Sequence, residues 1–474
     1  MRHFKVASTI TKRVSGSKRN TWIIASTIVW AISMFSIGGS VSAPAILPNN
    51  FPFQNQTGAS TTISTDGAID LTNEFFQDLG TNGRRCATCH QPSEGWTITP
   101  KGLQDRFEST GGKDPIFRTN DGSNSPNADV ATVQARRNAY SMLLTKGLIR
   151  VGLAIPINAE FELIAADDPY HFASASELSM FRRPAPATNL KFLSTVMWDG
   201  RETAPGQSIH FDLSNQANNA TLGHAQAAQP LSQQQRQHIV GFETSLFTTQ
   251  IFDNAVGPLN ARGAKGGPDI LSKQDFYIGI NDLFGDSKTE NPFDPIAFNL
   301  YDSWKVLSGG GLNEARRSVA HGEELFNTKL IQISGVSGIN DEPAFGSPKV
   351  VNGTCTTCHD TPNSGNHSVS APLNIGLTDP GRRTPDLPLY TLRNKTTNAV
   401  IQTSDPGRAM VTGKWKDIGR FKGPILRGLP ARAPYFHNGS AQDLRAVIDF
   451  YDQRFGIGFT NQEIADLIAF LRTL

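Results

Sequence analysis

The four cysteines of this chain occur as two pairs with the same spacing, and a histidine directly follows each pair. The residues are Cys86, Cys89 and His90 in the stretch CATCH, and Cys355, Cys358 and His359 in the stretch CTTCH. Two thiols three positions apart lie on one turn of the chain, so they can reach the two vinyl groups of one porphyrin. The imidazole of the next residue can then bind the iron. The pattern predicts two covalently bound c-type haems.

Three other uses of a C-x-x-C pair stay open from these residues alone: a redox dithiol, a disulfide or half of a zinc site. None of the three accounts for a histidine directly after both pairs. The chain has four cysteines in all, so no cysteine is left over for a further site.

The first 45 residues are typical of a targeting segment. Six basic residues and no acidic residue precede an apolar run at residues 22–39, and Ala43-Pro44-Ala45 provides an A-x-A cleavage site. This order predicts a secretory signal peptide, and the length of the apolar run leaves a retained membrane anchor open. Either form places the protein in the periplasm, free or anchored to the inner membrane. Export agrees with the cysteine motifs, because c-type haem is attached outside the cytoplasm.

The charge balance depends on this leader. The chain has 44 basic and 42 acidic residues, a net charge of +2, and loss of the six basic leader residues leaves −4. Nothing in the sequence indicates a nucleic-acid-binding surface. A hydrophobic content of 38% with 28 Phe can fill sizeable cores, whereas 43 Gly and 28 Pro predict many loops.

Helices are predicted beside both cysteine motifs, where a cytochrome c domain would have them. Apolar residues between 71 and 79 have helical spacing ahead of CATCH, and residues 313–326 have it ahead of CTTCH. The chain ends in an amphipathic stretch that Thr460 and Glu463 would begin with a capping box.

The remaining segments complete the predicted organisation. Residues 46–70 are a polar lead-in, residues 91–150 are mostly loop, and residues 232–249 are helical. We therefore predict a mainly α fold of two cytochrome c-like haem domains, 66–300 and 301–474, with long loops and insertions.

Near the C-terminus, the stretch YFHNGSAQDLRAVIDFYDQRF predicts a short helix that Ser440 would cap. Leu444, Val447, Ile448 and Tyr451 then share one helical face. Tyr451 is either the aromatic end of a buried face or a residue whose oxygen has a chemical role.

Three further segments carry distinctive motifs: FRRPAPATNLKFLSTVMWDGRE (181–202), GFETSLFTTQIFD (241–253) and GRFKGPILRGLPARAPYFHNGS (419–440). Together with the two C-x-x-C-H motifs, they resemble the bacterial di-haem cytochrome c peroxidase family, which includes MauG. The first is similar to the family's Arg-x-Pro segment running into Trp-Asp-Gly-Arg, the second to its Phe-Glu-x-Ser-Leu helix, and the third to its Pro-Tyr-Phe-His block. The resemblance covers most of residues 70–474.

The resemblance implies an oxidoreductase of the cytochrome c peroxidase type. The haem at His359 would accept electrons from a small donor cytochrome or cupredoxin. The haem at His90 would bind hydrogen peroxide and reduce it to water. A homodimer is compatible with the resemblance.

The first haem site departs from the family pattern. Family enzymes usually carry a Glu as proton acceptor in a Leu-Glu-Glu-Gln-Ala stretch after Trp-Asp-Gly-Arg, but here DLSNQA places Ser214 at that position. A Ser hydroxyl has no useful pKa for this task, so the catalytic residue is unknown, with Glu202, His210 and His224 as candidates. His210 or His224 could instead be a distal iron ligand, because residues 91–150 contain no histidine where the family has its usual one.

The resemblance also gives Tyr451 a role. Family peroxidases have a Met fourteen residues after the histidine of the Pro-Tyr-Phe-His block, and that Met is the second ligand of the electron-transfer haem. Fourteen residues after His437 stands Tyr451, and MauG also carries a Tyr ligand here. A phenolate lowers the iron potential where a Met raises it. A displaced Met410 ligand, or packing alone for Tyr451, stays open.

A calcium ion is the last expectation from the resemblance. The family often binds calcium between its domains through backbone carbonyls, and Arg432 and Pro434 occupy the matching positions. The family's Asn partner is not evident, since Arg183 and Pro184 stand there. Such hard-cation sites need several oxygen ligands.

Three functions follow from these features. The predicted one is a periplasmic peroxidase fed by a donor cytochrome. A MauG-like oxidase of a protein or organic substrate is the alternative, motivated by the missing acid and by Tyr451. A non-enzymatic di-haem protein for electron transfer or gas sensing is the third.

Overall fold

Ten α-helices and thirteen short strands occur in residues 45–474, the part of the chain that the computed structural model describes. The helices are α1 (Pro100–Thr110), α2 (Val133–Ala139), α3 (Ser141–Lys146), α4 (Ile209–Gly223), α5 (Gln233–Ser245), α6 (Pro268–Leu271), α7 (Leu312–Thr328), α8 (Ala409–Thr412), α9 (Leu444–Phe455) and α10 (Asn461–Leu471). The strands are β1 (Ile46–Pro48), β2 (Phe51–Asn55), β3 (Gly58–Ser64), β4 (Ala68–Asp70), β5 (Ile149–Leu153), β6 (Phe161–Asp167), β7 (Leu178–Arg182), β8 (Leu246–Asp253), β9 (Gly257–Pro258), β10 (Ile331–Ser334), β11 (Val350–Gly353), β12 (Leu389–Asn394) and β13 (Val400–Thr403).

The prediction of a mainly α fold is wrong, because 31% of the structure is helical and 17% is strand, in several small sheets. The fold is mixed α/β. Several strands form in stretches rich in Thr and Ile, such as GASTTIS of β3 and LFTTQIFD of β8. β-Branched residues favour strands, whereas the prediction had β3 in a polar lead-in and the first residues of β8 in a helix.

The predicted polar lead-in at residues 46–70 is part of the sheet structure. β2, β3, β8 and β9 form a four-stranded antiparallel sheet in that order. β3 is buried along its whole length, and the hydroxyls of Thr61, Thr62 and Ser64 are hydrogen-bonded. The Thr62 hydroxyl lies 2.7 Å from that of Thr248 and accepts a hydrogen bond from Trp96 Nε1 at 2.9 Å. Buried hydroxyls are tolerated when they are bonded in this way.

A second sheet joins segments from both halves of the sequence. β6 pairs with β12, and β13 pairs with the other edge of β12, all antiparallel. β6 precedes residue 300 and β12 follows it, so the sheet links the two sides of the predicted boundary. The division into haem-binding parts at residues 66–300 and 301–474 stays a prediction.

The helices that frame the second motif follow the sequence pattern. α7 includes the predicted 313–326 helix, and α10 begins with the predicted capping box of Thr460 and Glu463. α7 and α10 pack closely at Gly322, where an added Cβ atom would lie 1.9 Å from the backbone oxygen of Asp466. The contact therefore requires glycine.

Other predicted elements were wrong in their limits. Asp443, not Ser440, caps α9, because its carboxylate accepts a hydrogen bond from the backbone N–H of Ala446 at 2.8 Å. α5 ends at Ser245 and β8 starts at the next residue, so the predicted helix was too long. The helix predicted between residues 71 and 79 is only the 3₁₀ turn Glu74–Phe76. Residues 91–150 are mostly irregular, as predicted, and also contain the short helices α1, α2 and α3.

The predicted targeting segment lies outside the described residues, apart from Ala45. Among the helices of residues 45–474, none is long and apolar enough to cross a membrane. The choice between a cleaved signal peptide and an anchor stays a prediction.

Candidate active site

The second cysteine motif lies on the wall of a cavity of about 240 Å³. A 3₁₀ turn, Cys355–Thr357, forms there because the Thr357 hydroxyl accepts a hydrogen bond from the backbone N–H of Thr354 at 2.9 Å. The turn brings Cys355, Cys358 and His359 onto one cavity wall. Most of the remaining lining is apolar, as the faces of a porphyrin require.

His359 is oriented for iron binding. Its Nδ1 lies 2.7 Å from the backbone oxygen of Gly365, which can only accept, so Nδ1 carries the proton and Nε2 keeps a free lone pair. Burial lowers the pKa of His359 to about 4, which keeps the imidazole neutral at neutral pH. A neutral imidazole with a fixed tautomer is the form that binds haem iron.

The first motif has the same arrangement on a separate cavity of about 160 Å³. Cys86, Cys89 and His90 line it, and His90 Nδ1 lies 3.0 Å from the backbone oxygen of Trp96. Burial lowers the pKa of His90 to about 4. The side chain of Trp96 is held by its hydrogen bond to Thr62 of β3. This bond therefore also fixes the backbone carbonyl of Trp96, which orients His90.

Both cavities fit a covalently bound haem. Each presents two thiols and one imidazole with a free Nε2 in the required spacing. All four cysteines are free thiols. Within residues 45–474, no group of three or more His, Cys, Asp and Glu side chains is placed to hold a metal ion. The disulfide and zinc interpretations therefore gain no support from the structure.

Tyr451 lies in the second cavity, together with the other residues of the predicted α9 face. The buried face and the cavity-lining face of the helix are therefore the same. The Tyr451 hydroxyl has no hydrogen-bond partner in the described part of the chain. Burial, with a smaller contribution from Cys358, raises its pKa above the usual range. Met410 instead packs with Tyr390 in a separate hydrophobic cluster, outside the cavity lining.

His224 is the candidate distal residue that the structure brings into the first cavity. It follows the C-terminus of α4, and its Nδ1 lies 2.5 Å from a carboxylate oxygen of Asp121. Arg84 binds the other oxygen of Asp121 at 2.5 Å. Although burial opposes ionisation of Asp121, His224 and Arg84 together lower its pKa below the usual range. His224 Nε2 has no hydrogen-bond partner in residues 45–474.

The other sequence candidates lie elsewhere. His210 is exposed, and Glu202 binds the side chain of Asn219 at 3.0 Å; neither lines the cavity. Ser214 is also absent from the lining, because α4 faces the cavity through Leu213, Gln216 and the residues in register with them. Ser214, the position at which family enzymes carry the Glu, therefore does not face the cavity.

Comparison with known proteins finds cytochrome c peroxidases that match part of the chain. No family model matches the chain. The chain is 31% identical to cytochrome c peroxidase IdrP1 of Pseudomonas sp. (strain SCT), over 25% of this chain and 36% of that protein. It is 30% identical to cytochrome c peroxidase IdrP2 of Denitromonas iodatirespirans, over 26% of this chain and 36% of that protein.

The chain is similar to cytochrome c peroxidases over about a quarter of its own length. The predicted resemblance to that family is confirmed, and the names of the relatives bear out the prediction of an oxidoreductase type. The chain spans about a third of the length of the two peroxidases that it matches. A solved MauG-like protein associated with microbial copper homeostasis aligns over 92% of this chain at 15% identity, with a TM-score of 0.38.

One aromatic side chain of this chain borders both cavities. Trp198, of the Trp-Asp-Gly-Arg motif, lines the first and the second cavity, as does Lys422. The Trp198 Nε1–H donates to the backbone oxygen of Arg183 at 2.8 Å, and the Lys422 ammonium lies 5.6 Å from the centre of its ring. Burial lowers the pKa of Lys422 to about 8. The motif could have identified Trp198 from sequence, but its place between the cavities depends on the fold.

Two buried titratable groups were missed by the sequence reasoning. Glu243 of α5 lines the first cavity, one of its oxygens has no partner among the described residues, and burial raises its pKa to about 8. His437 lines the second cavity, stacks on Phe421 at 3.9 Å and has neither ring nitrogen hydrogen-bonded within residues 45–474. Both lie in segments that carry the family resemblance, which gave them no chemical role.

The residues expected to bind calcium do not fit that ion. The backbone oxygen of Arg432 accepts a hydrogen bond from Arg183 Nη2 at 3.1 Å. A calcium ion on this carbonyl would lie beside a buried guanidinium cation, which like-charge repulsion opposes. Pro434 lines the second cavity.

Proposed function

We propose that this protein is a periplasmic di-haem peroxidase that reduces hydrogen peroxide to water with electrons from a small donor cytochrome or cupredoxin. The observation that carries the proposal is the pair of His224 and Asp121 in the cavity that also holds His90. It supplies the proton-transfer group that the sequence pattern lacked at Ser214.

Each haem would be held by one motif. Cys86 and Cys89 would form the thioether bonds of the first haem, with His90 on the iron, and Cys355, Cys358 and His359 would do the same for the second. When bound, the first haem would supply redox-active iron for the two-electron reduction of peroxide.

His224 performs the proton transfer in this proposal. Its Nε2 would accept a proton from one peroxide oxygen and return it to the other oxygen as the O–O bond breaks. Asp121 holds the Nδ1–H, which fixes the tautomer and stabilises the imidazolium. Two electrons from the donor and two protons from solvent balance the conversion of one peroxide into two waters.

Trp198 supports the electron supply. It is a side chain that both cavities share, so it provides a continuous aromatic link from the site that accepts electrons to the site that uses them. Its hydrogen bond to Arg183 holds the ring in place.

Steady-state peroxide reduction by the purified holoprotein, with a reduced small c-type cytochrome as donor, tests the proposal. We expect turnover well above that of free haem, and His224→Ala should reduce kcat by about 10²-fold or more. His210→Ala is the matched control, because this exposed histidine lies outside the cavity, and it should leave the rate unchanged. A wild-type rate no better than free haem would overturn the proposal. So would a six-coordinate first haem that loses a ligand in His224→Ala, since iron without an open position cannot bind peroxide.

One observation favours a second candidate, a MauG-like oxidase of a protein or organic substrate. The Tyr451 hydroxyl lies in the second cavity without a hydrogen-bond partner among the described residues, where a phenolate ligand would lower the iron potential. Peroxide added without a donor should then give a long-lived oxidised form of the protein in optical spectra. Rapid peroxide turnover without such a form rejects this candidate.

A further inference from the structure

The guanidinium of Arg183 occupies a ring of backbone carbonyls between the two cavities. Nη1 donates to the backbone oxygen of Lys146 at 2.8 Å, and Nη2 donates to those of Ile98 at 2.7 Å and Arg432 at 3.1 Å. Arg183 is 5% exposed and lines both cavities. Several neutral oxygens from separate segments around one positive charge are the surroundings that a hard cation prefers.

The chain leaves room for this side chain. Gly147 has a φ of 64°, and a Cβ atom added there would lie 2.3 Å from Arg183 Nη1. Gly95, with a φ of 63°, clears the neighbouring Arg432, whose Cγ would lie 2.8 Å from an added Cβ. Both positions favour glycine for conformation as well as for space. The site is therefore built around two arginine side chains.

The charge of Arg183 persists at neutral pH. Burial and the nearby Arg432 lower its pKa only to about 10. No ion pair between Arg183 and a carboxylate occurs within residues 45–474, although Glu94 lies close enough to favour the charge. A divalent ion on the Arg432 carbonyl would add two more positive charges to this cluster.

The backbone of the same residue connects to the wall between the cavities. Arg183 N donates to the backbone oxygen of His437 at 2.6 Å, and Arg183 O accepts from Trp198 Nε1 at 2.8 Å. A guanidinium fixed among three carbonyls therefore also fixes the position of Trp198. Arg183 is a positioning residue for the side chain that both cavities share.

We propose that the guanidinium of Arg183 takes the place of calcium in this chain, so that the wall between its two haem cavities forms without a metal ion. The resemblance to peroxidases places an asparagine where Arg183 and Pro184 stand, and a calcium ion on the carbonyls of Arg432 and Pro434. Here the cation is covalently part of the chain. Chelators cannot remove it, and the arrangement of Trp198 does not depend on calcium concentration.

Thermal unfolding and metal analysis of the holoprotein test this proposal. Wild-type protein should contain no calcium after dialysis, and its Tm should be the same in millimolar calcium as in excess EGTA. Arg183→Asn, which restores the oxygen ligand of the family, should unfold several degrees lower in EGTA. Calcium should raise the Tm of this variant in a concentration-dependent way, because a ligand that binds the folded state stabilises it.

Arg427→Asn is the matched control. Arg427 is also buried and also donates to a backbone carbonyl, that of Asn363 at 2.7 Å. Its replacement should lower the Tm without creating a response to calcium. Arg183→Lys keeps the charge and should also show no response.

Three results would overturn the proposal. The first two are stoichiometric calcium in dialysed wild-type protein and a lower wild-type Tm in EGTA. The third is a folded Arg183→Asn variant whose Tm does not change with calcium concentration. If Arg183→Asn does not fold, the wild-type measurements and Arg183→Lys decide, because a calcium response in either contradicts a built-in cation. These measurements do not depend on whether the protein reduces peroxide, so this proposal and the proposed function can fail separately.

Discussion

The imidazole of His224 and the carboxylate of Asp121 lie 2.5 Å apart beside the first cavity, although 103 positions separate them in the sequence. Asp121 also binds Arg84, next to the CATCH motif. The carboxylate holds the proton on Nδ1, so that Nε2 is the atom free to act in the cavity. This geometry makes Asp121 a positioning residue for His224.

Asp121→Asn should reduce the rate of peroxide reduction by about 10²-fold or more, because an amide cannot stabilise the imidazolium that forms on His224. The haem content should stay that of wild type, since neither cysteine motif is touched. kcat and kcat/KM with a fixed donor concentration are the measurements. Asp105→Asn is the control: it removes an exposed ion pair with Lys101 and should leave kcat and kcat/KM unchanged. An unchanged kcat in Asp121→Asn would remove the pair from the mechanism.

Tyr451→Phe should change the optical and EPR spectra of one of the two haems and raise its midpoint potential, because a phenolate ligand stabilises the oxidised iron. Tyr451→Met should raise that potential further. Tyr435→Phe is the control: it removes another phenol of the same cavity, one that donates to the backbone oxygen of Leu429 at 3.0 Å. If Tyr451→Phe keeps the wild-type spectrum and potential, Tyr451 contributes packing alone.

Trp198→Phe should slow the transfer of electrons between the two haems while leaving both haems attached. The smaller ring shortens the aromatic link and loses the hydrogen bond to Arg183. Rapid reduction of the second haem, followed by the spectrum of the first, measures the transfer. Trp415→Phe is the comparison, because Trp415 packs beside Met410 in a separate cluster. Equal transfer rates in wild type and Trp198→Phe would show that electrons take another route.

Glu323→Gln should flatten the pH dependence of stability in acid. Glu323 is 1% exposed, and burial raises its pKa to about 7, although the N–H groups of Leu300 and Tyr301 donate to it. A raised carboxyl pKa stabilises the fold fully below the unfolded value near 4.5, and this contribution is lost as the pH rises to about 7. The loss amounts to about 3 kcal/mol, at roughly 1.4 kcal/mol per pKa unit.

Urea unfolding at several pH values measures this effect. Glu324→Gln, at the exposed neighbouring position, should keep the pH profile of the wild type. A Glu323→Gln profile that still falls between pH 4.5 and 7 as steeply as wild type would contradict the prediction.

Each haem should depend on its own motif. Replacing Cys86 and Cys89 by Ser, or Cys355 and Cys358 by Ser, should halve the covalent haem per chain, as measured by pyridine haemochrome absorbance and intact mass. The thioether bonds cannot form without the thiols. A wild-type mass that shows one haem, or none, would contradict the reading of both motifs.

Several features could be predicted from local sequence alone. The C-x-x-C-H motifs place two thiols and one imidazole within five residues, so the chain itself brings them together. The spacing of Leu444 and Tyr451 determined that they share one face of α9, and Thr460 with Glu463 determined where α10 begins. Such features depend on contacts between residues that are close in sequence.

The rest was decided by contacts between residues far apart in sequence, which spacing and motif do not report. Strands pair between β3 and β8 and between β6 and β12. These pairings make the fold mixed α/β, whereas the sequence predicted a mainly α fold. The fold also brought His224 to Asp121 and aimed the guanidinium of Arg183 at the carbonyl of Arg432. The sequence alone thus determined which residues form each C-x-x-C-H motif, because those residues are neighbours in the chain. Only the tertiary structure decided which acid–base pair and which cation lie beside them, because those partners meet only when the chain is folded.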